Sequence, residues 1–321
     1  MSDAYRSYIA GDYTKTLKII RPQAKRGNAL AQFRLGMMYA KGQGVPQDYQ
    51  LAVKWYRLAA KRGNTLAQFT LGMMYGKGQG VRQDYVTAAK WYRLAAHQGN
   101  ASAQYYLGLM HSKGQGVHQD YQLAVKWFRL AADQGSSAAQ LKLATMYGLG
   151  QGVHQDSNEA AKWYQLAAEQ GNATAQFNVG LMYDSGQGVP QNYAEAAKWY
   201  RLAADQGIPD AQWLLGESYE SGQGVLQDYK EAEKWYRLAA AQGDAQAQYN
   251  LGVMYALGRG IPQDYVHALM WYTIAAATST DSNEQISTKN RDSLAEKMTA
   301  QQIADAQELA KKCTLNKFRG C

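Results

Sequence analysis

Few side chains in this sequence could do covalent or metal chemistry. The two cysteines, Cys313 and Cys321, fall within one nine-residue stretch at the end of a chain that has no other cysteine. That clustering suits a local disulfide tying the tail to the last helix, which would imply an oxidising compartment. Five histidines raise a metal site. His118 and His154 hold the same place in adjacent copies of a repeat, however, and neighbouring turns would lie about 20 Å apart, two helix layers at 8–10 Å each. An ion needs its ligands within about 2.1 Å, so no metal is expected. His111 replaces a tyrosine at a packed position and is expected to be a satisfied core residue. No nucleophile–base arrangement, Walker loop, dinucleotide fingerprint or SxxK motif occurs. GQGV resembles a phosphate loop only superficially. It recurs in six repeats, with GRGI in the seventh, which gives it a structural role. Neither catalysis nor a cofactor is expected. The chemistry left is recognition by a surface.

That surface is carried by a repeat. Trp55, Trp91, Trp127, Trp163, Trp199, Trp235 and Trp271 are each 36 residues apart, with no insertion or deletion. Such a period marks stacked supersecondary units. Seven repeats start at Gly27, Gly63, Gly99, Gly135, Gly171, Gly207 and Gly243. The expected organisation is a partial capping repeat over 1–26, seven tandem repeats over 27–278, and capping helices with a short tail over 279–321. Pro22 should kink or shorten the helix of the first segment.

Within a repeat the first helix should run over about 29–40. Asn28 is its N-cap, and Gly42 and Gly44 end it. Asp48 caps a second helix that runs to about Lys61. Asp156–Glu159, Asn192–Glu195 and Asp228–Glu231 have capping-box-like spacing. Wound at about 100° per residue, the second helix exposes Gln50, Lys54, Arg57 and Lys61. Trp55, Leu58 and the remaining apolar residues fall on packed arcs. After Trp271 the pattern changes. Residues 279–290 should be a loop that enters a helix near Asn283. A further helix should begin at Thr299, with Gln302 completing a capping box, and end near Cys313.

The elements AQFxLGxMY, GQGV, QDYxxAxKWY and RLAAxQGN resemble the Sel-one-like repeat family, related to the tetratricopeptide repeats, over residues 12–278. RDSLAEKMTAQQIADAQELAKKC is similar to the closing segment of many bacterial members. The resemblance implies an all-α fold, a right-handed α/α superhelical solenoid whose first helices line the concave face. It also implies a scaffold or adaptor that assembles other proteins, often at or beyond the bacterial inner membrane. Certain cysteine-rich relatives have been discussed as penicillin-recognising or β-lactamase-like enzymes. They carry paired cysteines within their repeats, and this chain has none there.

The first-helix strip is the candidate site. Leu30, Arg34, Met37 and Lys41 wind onto it, and their equivalents differ from copy to copy. Exposed Met, Leu and Tyr in a groove suit a protein or peptide partner. The expected contacts are Arg34, Met37, Thr70, Met73, Tyr106, Leu109 and Lys142. Basic groups dominate the earlier copies, whereas Asp184, Asp210, Glu217 and Glu220 make the later ones acidic. The repeated Lys/Arg pairs of the second helices, such as Lys54/Arg57 and Lys126/Arg129, suit a solvated face better than a nucleic-acid ridge. The formal charge of +8 is modest for 321 residues. No stretch is long and apolar enough for a transmembrane helix, and no signal peptide is visible in the sequence as given. A periplasmic or secreted location follows if a signal peptide precedes the given start, because SDAYRSYIAGDY resembles the beginning of a mature secreted member. A cytoplasmic location follows otherwise.

Overall fold

The structure, a computed structural model, describes residues 3–278, 282–318 and 321, which form eighteen helices and no strand. Two compact units divide the chain, Met1–Asp156 and Ser157–Cys321. The first contains α1 (Asp3–Ile9), α2 (Tyr13–Lys25), α3 (Ala29–Lys41), α4 (Tyr49–Lys61), α5 (Thr65–Lys77), α6 (Tyr85–His97), α7 (Ala101–Lys113), α8 (Tyr121–Asp133) and α9 (Ser137–Leu149). The second contains α10 (Ser157–Glu169), α11 (Ala173–Ser185), α12 (Tyr193–Asp205), α13 (Pro209–Ser221), α14 (Tyr229–Ala240), α15 (Ala245–Leu257), α16 (Tyr265–Thr278), α17 (Ser282–Ala295) and α18 (Ala300–Leu315). Within each unit each helix packs on the next as far as α16, and α17 and α18 both pack on α16. Odd-numbered helices from α3 to α15 are the first helices of the 36-residue repeats, and even-numbered ones from α4 to α16 the second.

Punctuation residues set these boundaries. The Asn28 side chain accepts from the Ala31 N–H at 2.8 Å, and Asp48 accepts from Leu51 at 2.8 Å. These bonds satisfy N–H groups that have no partner inside the helix. Gly42 leaves α3 at φ +68°, a conformation that costs glycine little. Thr299 and Gln302 form a reciprocal capping box at the start of α18. Glu195 and Glu231 form none. They reach forward instead to Lys198 and Lys234, because a cation three residues on competes with the cap.

Pro22 sits inside α2 without shortening it, since α2 has the 13 residues common to most of the helices. The first segment is a helix pair, with α1 covering α2 through a buried contact of 3.0 Å between the Ser7 and Thr16 hydroxyls. The helix expected near Asn283 is α17, which starts at Ser282, so the loop expected over 279–290 is corrected for residues 282–290, while 279–281 lie outside the described residues.

The tryptophans that keep the repeat length are not its core in the N-terminal unit, although Trp235 and Trp271 of the C-terminal unit are buried. Trp55, Trp91 and Trp127 are half-buried, whereas Tyr56, Tyr92 and Phe128, one residue on, are 1–5% exposed. The ring of each lies over a first-helix glycine. A Cβ on Gly36 would meet Tyr56 at 2.8 Å, and one on Gly108 would meet Phe128 at 2.7 Å. Glycine at that position lets the ring approach closely, and Ala144 holds the same place in the fourth repeat.

Neighbouring repeats are joined by three recurring contacts. The second glycine of GQG presses on the start of the preceding second helix, so a Cβ on Gly80 would stand 2.5 Å from the Tyr49 carbonyl oxygen. Gln68, buried in α5, donates to the Ala60 carbonyl and accepts from Gln98 at 2.6 Å. The Gln134–Gln104, Gln206–Gln176 and Gln242–Gln212 pairs repeat this bond. In the first repeat Arg62 stands where Gln98 stands in the second, and the buried Gln32 Oε1 has no partner. Finally, Arg57, Arg129, Arg201 and Arg237 donate to the hydroxyls of Tyr75, Tyr147, Tyr219 and Tyr255 on the following first helix.

Candidate functional site

The helix pairing decides which face of a first helix stays open. Second helices cover the arc bearing Leu35, Gly36 and Met38, all buried, and leave the strip of Leu30, Arg34, Met37 and Lys41 accessible. None of the strip positions in the seven repeats is buried. Their side chains can vary because none is fully buried, although Met37, Met73, Leu181, Leu214 and Val253 rest against the core clusters.

In the N-terminal unit this strip opens into a cavity of about 240 Å³ between α5, α6 and α7. Met73, Tyr106 and Leu109 line it, with Tyr92 at its floor and Lys77 and Lys113 among its walls. Tyr106 is 37% exposed. Its ring stacks on Tyr92 with centroids 5.3 Å apart and planes 7° from parallel, and it also touches Phe69 and Tyr105. Aromatic contacts on three sides fix the ring without covering it. Burial, and then Tyr106, push the Tyr92 phenol above its usual pKa, so it stays neutral. The cavity thus has an apolar floor, a rigid aromatic wall and two ammonium groups.

The remaining predicted contacts fall elsewhere. Arg34 lies over the Tyr5 ring, 5.6 Å from its centroid, and lines a separate depression with Asp3, Ile19 and Gln23. Met37 is half-buried against the cluster around Tyr56. Thr70 spends its hydroxyl on the Leu66 carbonyl at 2.7 Å. Lys142 is exposed on α9. Met73, Tyr106 and Leu109 are brought together; Arg34, Met37, Thr70 and Lys142 do not join them in the cavity.

On the second helices the arginines are not a free basic ridge, because Arg57, Arg129, Arg201 and Arg237 are bound to tyrosines of the next repeat. Where that tyrosine is replaced, His111 faces Arg93. It is buried, but its Nδ1 has no hydrogen-bond partner, so the expected satisfied histidine is corrected. Burial depresses its pKa, and the Arg93 charge adds to the effect, while the His118 main chain and Asp120 oppose it. Among the described residues no group of three or more His, Cys, Asp or Glu could hold a metal ion. No described helix is long and apolar enough to cross a membrane.

The expectation that Leu58 packs inward is also corrected. Leu58, Leu94 and Leu130 of the N-terminal unit are 45–48% exposed. Leu58 winds only about 40° from Lys54, at the edge of the strip already assigned to solvent, and this angle is the signal that would have placed it there. At the far end, Cys313 and Cys321 are joined, with Sγ atoms 2.01 Å apart, and Arg237 donates to the Cys321 carbonyl at 3.2 Å.

The Sel1 repeat profile matches residues 29–64, 65–100, 101–136, 137–172, 173–208, 209–244 and 245–277. The crystal structure of a Sel1 repeat protein from Oxalobacter formigenes is similar at 36% identity, with a TM-score of 0.68, over 89% of this chain and 86% of that one. The structure of c5321, described as a protective antigen of uropathogenic Escherichia coli with an SLR fold, is 31% identical over 98% of this chain and 84% of that one, with a TM-score of 0.47. Among curated proteins none matches the chain. Sel1 repeat proteins are in general scaffolds for protein–protein interaction and typically not enzymes. With seven matching repeats that fold as helix pairs, this chain belongs to the Sel1 repeat family.

Proposed function

We propose that the protein is a scaffold that holds a segment of a partner protein against the first helices of its N-terminal unit, with the cavity between α5 and α7 as the anchor point. The observation that carries this reading is the Tyr106 wall. A ring locked by aromatic contacts yet 37% exposed offers contact area without an entropy cost on binding. Met73 and Leu109 make the pocket apolar, and Met adapts to irregular side chains. Lys77 and Lys113 favour acidic groups beside the anchor. The partner segment therefore presents an apolar side chain flanked by Asp or Glu. Arg34, Met37, Thr70 and Lys142 are peripheral contacts along the same strip.

Binding energy concentrates in a few anchors, so Tyr106 should carry about 2 kcal/mol or more. Once a partner is isolated from the native host, Tyr106→Ala with Met73→Ala should weaken it at least about tenfold and leave the melting curve almost unchanged. Unchanged affinity in that variant, with loss on changing Leu58, Leu94 and Leu130 instead, would move the binding surface to the second helices.

A further inference from the structure

The C-terminal unit repeats one polar arrangement twice and completes it only once. In the later copy, the Tyr236 hydroxyl donates to Glu220 at 2.8 Å, Asn250 Nδ2 donates to Tyr236 Oη at 2.9 Å, and Arg259 pairs with Glu220 at 3.4 Å. A buried phenol and a carboxylate are thus satisfied by two N–H donors, one of them a guanidinium. Thirty-six residues earlier, Tyr200 and Asp184 occupy the places of Tyr236 and Glu220. The places of Asn250 and Arg259 are taken by Leu214 and Gln223, so neither donor is present.

The earlier copy is left open. Tyr200 is 2% exposed, and its hydroxyl is buried without a hydrogen bond. It lies against the Asp184 carboxylate. Burial, then the charge of Asp184 and its hydrogen-bonding approach to the phenol, then the charge of Glu217, raise its pKa, which places the phenol facing both. Neither carboxylate makes an ion pair among the described residues, although Glu159, Glu195, Glu220, Glu231, Glu233 and Glu308 all do. Surrounding protein, then Asp184 and Glu220, push the Glu217 carboxyl above its usual range. Asp184, Leu214 and Glu217 all belong to first helices, α11 and α13, and none of the three is fully buried, although Leu214 rests against the core cluster around Tyr200.

We propose that this surface is an arginine-binding site, in which Asp184, Glu217 and the Tyr200 hydroxyl hold the guanidinium of a basic segment of a partner protein. Arginine fits better than lysine. One planar guanidinium offers five N–H donors in a fixed fork, enough to bond a carboxylate in two places and still donate to Tyr200 Oη. It supplies from one group what Asn250 and Arg259 supply together one repeat later. Leu214 provides an apolar wall for the methylene stem. The site is separate from the Tyr106 cavity and takes the opposite charge.

Fluorescence anisotropy on the full chain at low salt tests the assignment, with a fluorescein-labelled Gly-Leu-Arg-Leu-Gly peptide and the same peptide carrying citrulline in place of arginine. Citrulline keeps the shape and removes the charge. The arginine probe should bind at least about tenfold more tightly than the citrulline probe. Asp184→Asn with Glu217→Gln, near-isosteric changes, should abolish that preference. Gln223→Arg should abolish it too, by supplying a guanidinium from within the chain as Arg259 does at Glu220. Tyr106→Ala should leave it intact, which separates failure here from failure of the N-terminal reading. Circular dichroism melts confirm that each variant is folded. Equal binding of the two probes to the native chain would overturn the proposal, as would a preference that survives Asp184→Asn with Glu217→Gln.

Discussion

Gly72 lies so close beneath the ring of Tyr92 that a Cβ built on it would come within 2.5 Å of Tyr92 Cδ1. Four residues on in the same helix, Gly76 has nothing nearer than 3.9 Å. The two glycines therefore respond oppositely to one methyl group. Gly72→Ala should destabilise by about 1–3 kcal/mol through overpacking. Gly76→Ala should be neutral or stabilise by up to about 1 kcal/mol, because alanine is the better helix former. Urea melts of the two variants check this, and equal shifts would show that the ring does not pack as described.

The buried aromatic and its tryptophan neighbour make a second contrast. Phe128 is 1% exposed, whereas Trp127 is half-buried and meets His97 edge-on at 5.4 Å. Phe128→Ala should cost about 3–5 kcal/mol. Trp127→Ala should cost less than Phe128→Ala despite its larger side chain. The reverse order would mean that the tryptophan is the true core residue.

That contrast marks how much of the molecule was legible in its sequence. The 36-residue period, the Asn28 and Asp48 caps and the glycine stops are local signals, and they gave the helix limits almost to the residue. Which aromatic of a Trp-Tyr pair is fully buried depends on the helix opposite, and a helical wheel does not contain that information. Gln68 reads as a polar surface residue until the Gln98 side chain at the end of α6 is placed beside it. The open strip was legible from its winding. Its division into separate patches was not, because Arg34 is claimed by Tyr5, and Tyr5 belongs to α1, a helix too short to declare itself.

His111 should give the fold a pH dependence. Its pKa is depressed in the native state, so below its ordinary value the unfolded chain binds the proton more readily. Its contribution is complete above a pH of about 6.5 and is lost as the pH falls through the depressed value. His111→Tyr installs the residue that meets arginine in the neighbouring repeats. The variant should lose less stability than the native chain between pH 7.5 and 5, measured by urea melts. Parallel losses would show that His111 is not the group responsible.

The tail makes a redox prediction. The Cys313–Cys321 bond holds the last described residue against Arg237, and Phe318 packs on the cluster around Trp271. Closing so short a loop is worth about 2–3 kcal/mol. A reductant should therefore lower the melting temperature of the native protein and have no such effect on a Cys313→Ser, Cys321→Ser variant. Two alkylatable thiols in freshly extracted, unreduced protein would exclude the bond in its native setting.

Site-specific photocrosslinking in the native host tests the scaffold reading most directly. A benzoylphenylalanine is placed in turn at Tyr106, in the apolar cavity, and at Leu94, on the exposed face of the second helices. The account predicts a discrete adduct with one partner protein from position 106, lost when Met73 is changed to Asp, and none from position 94. Adducts from position 94 alone would contradict it and assign binding to the second helices.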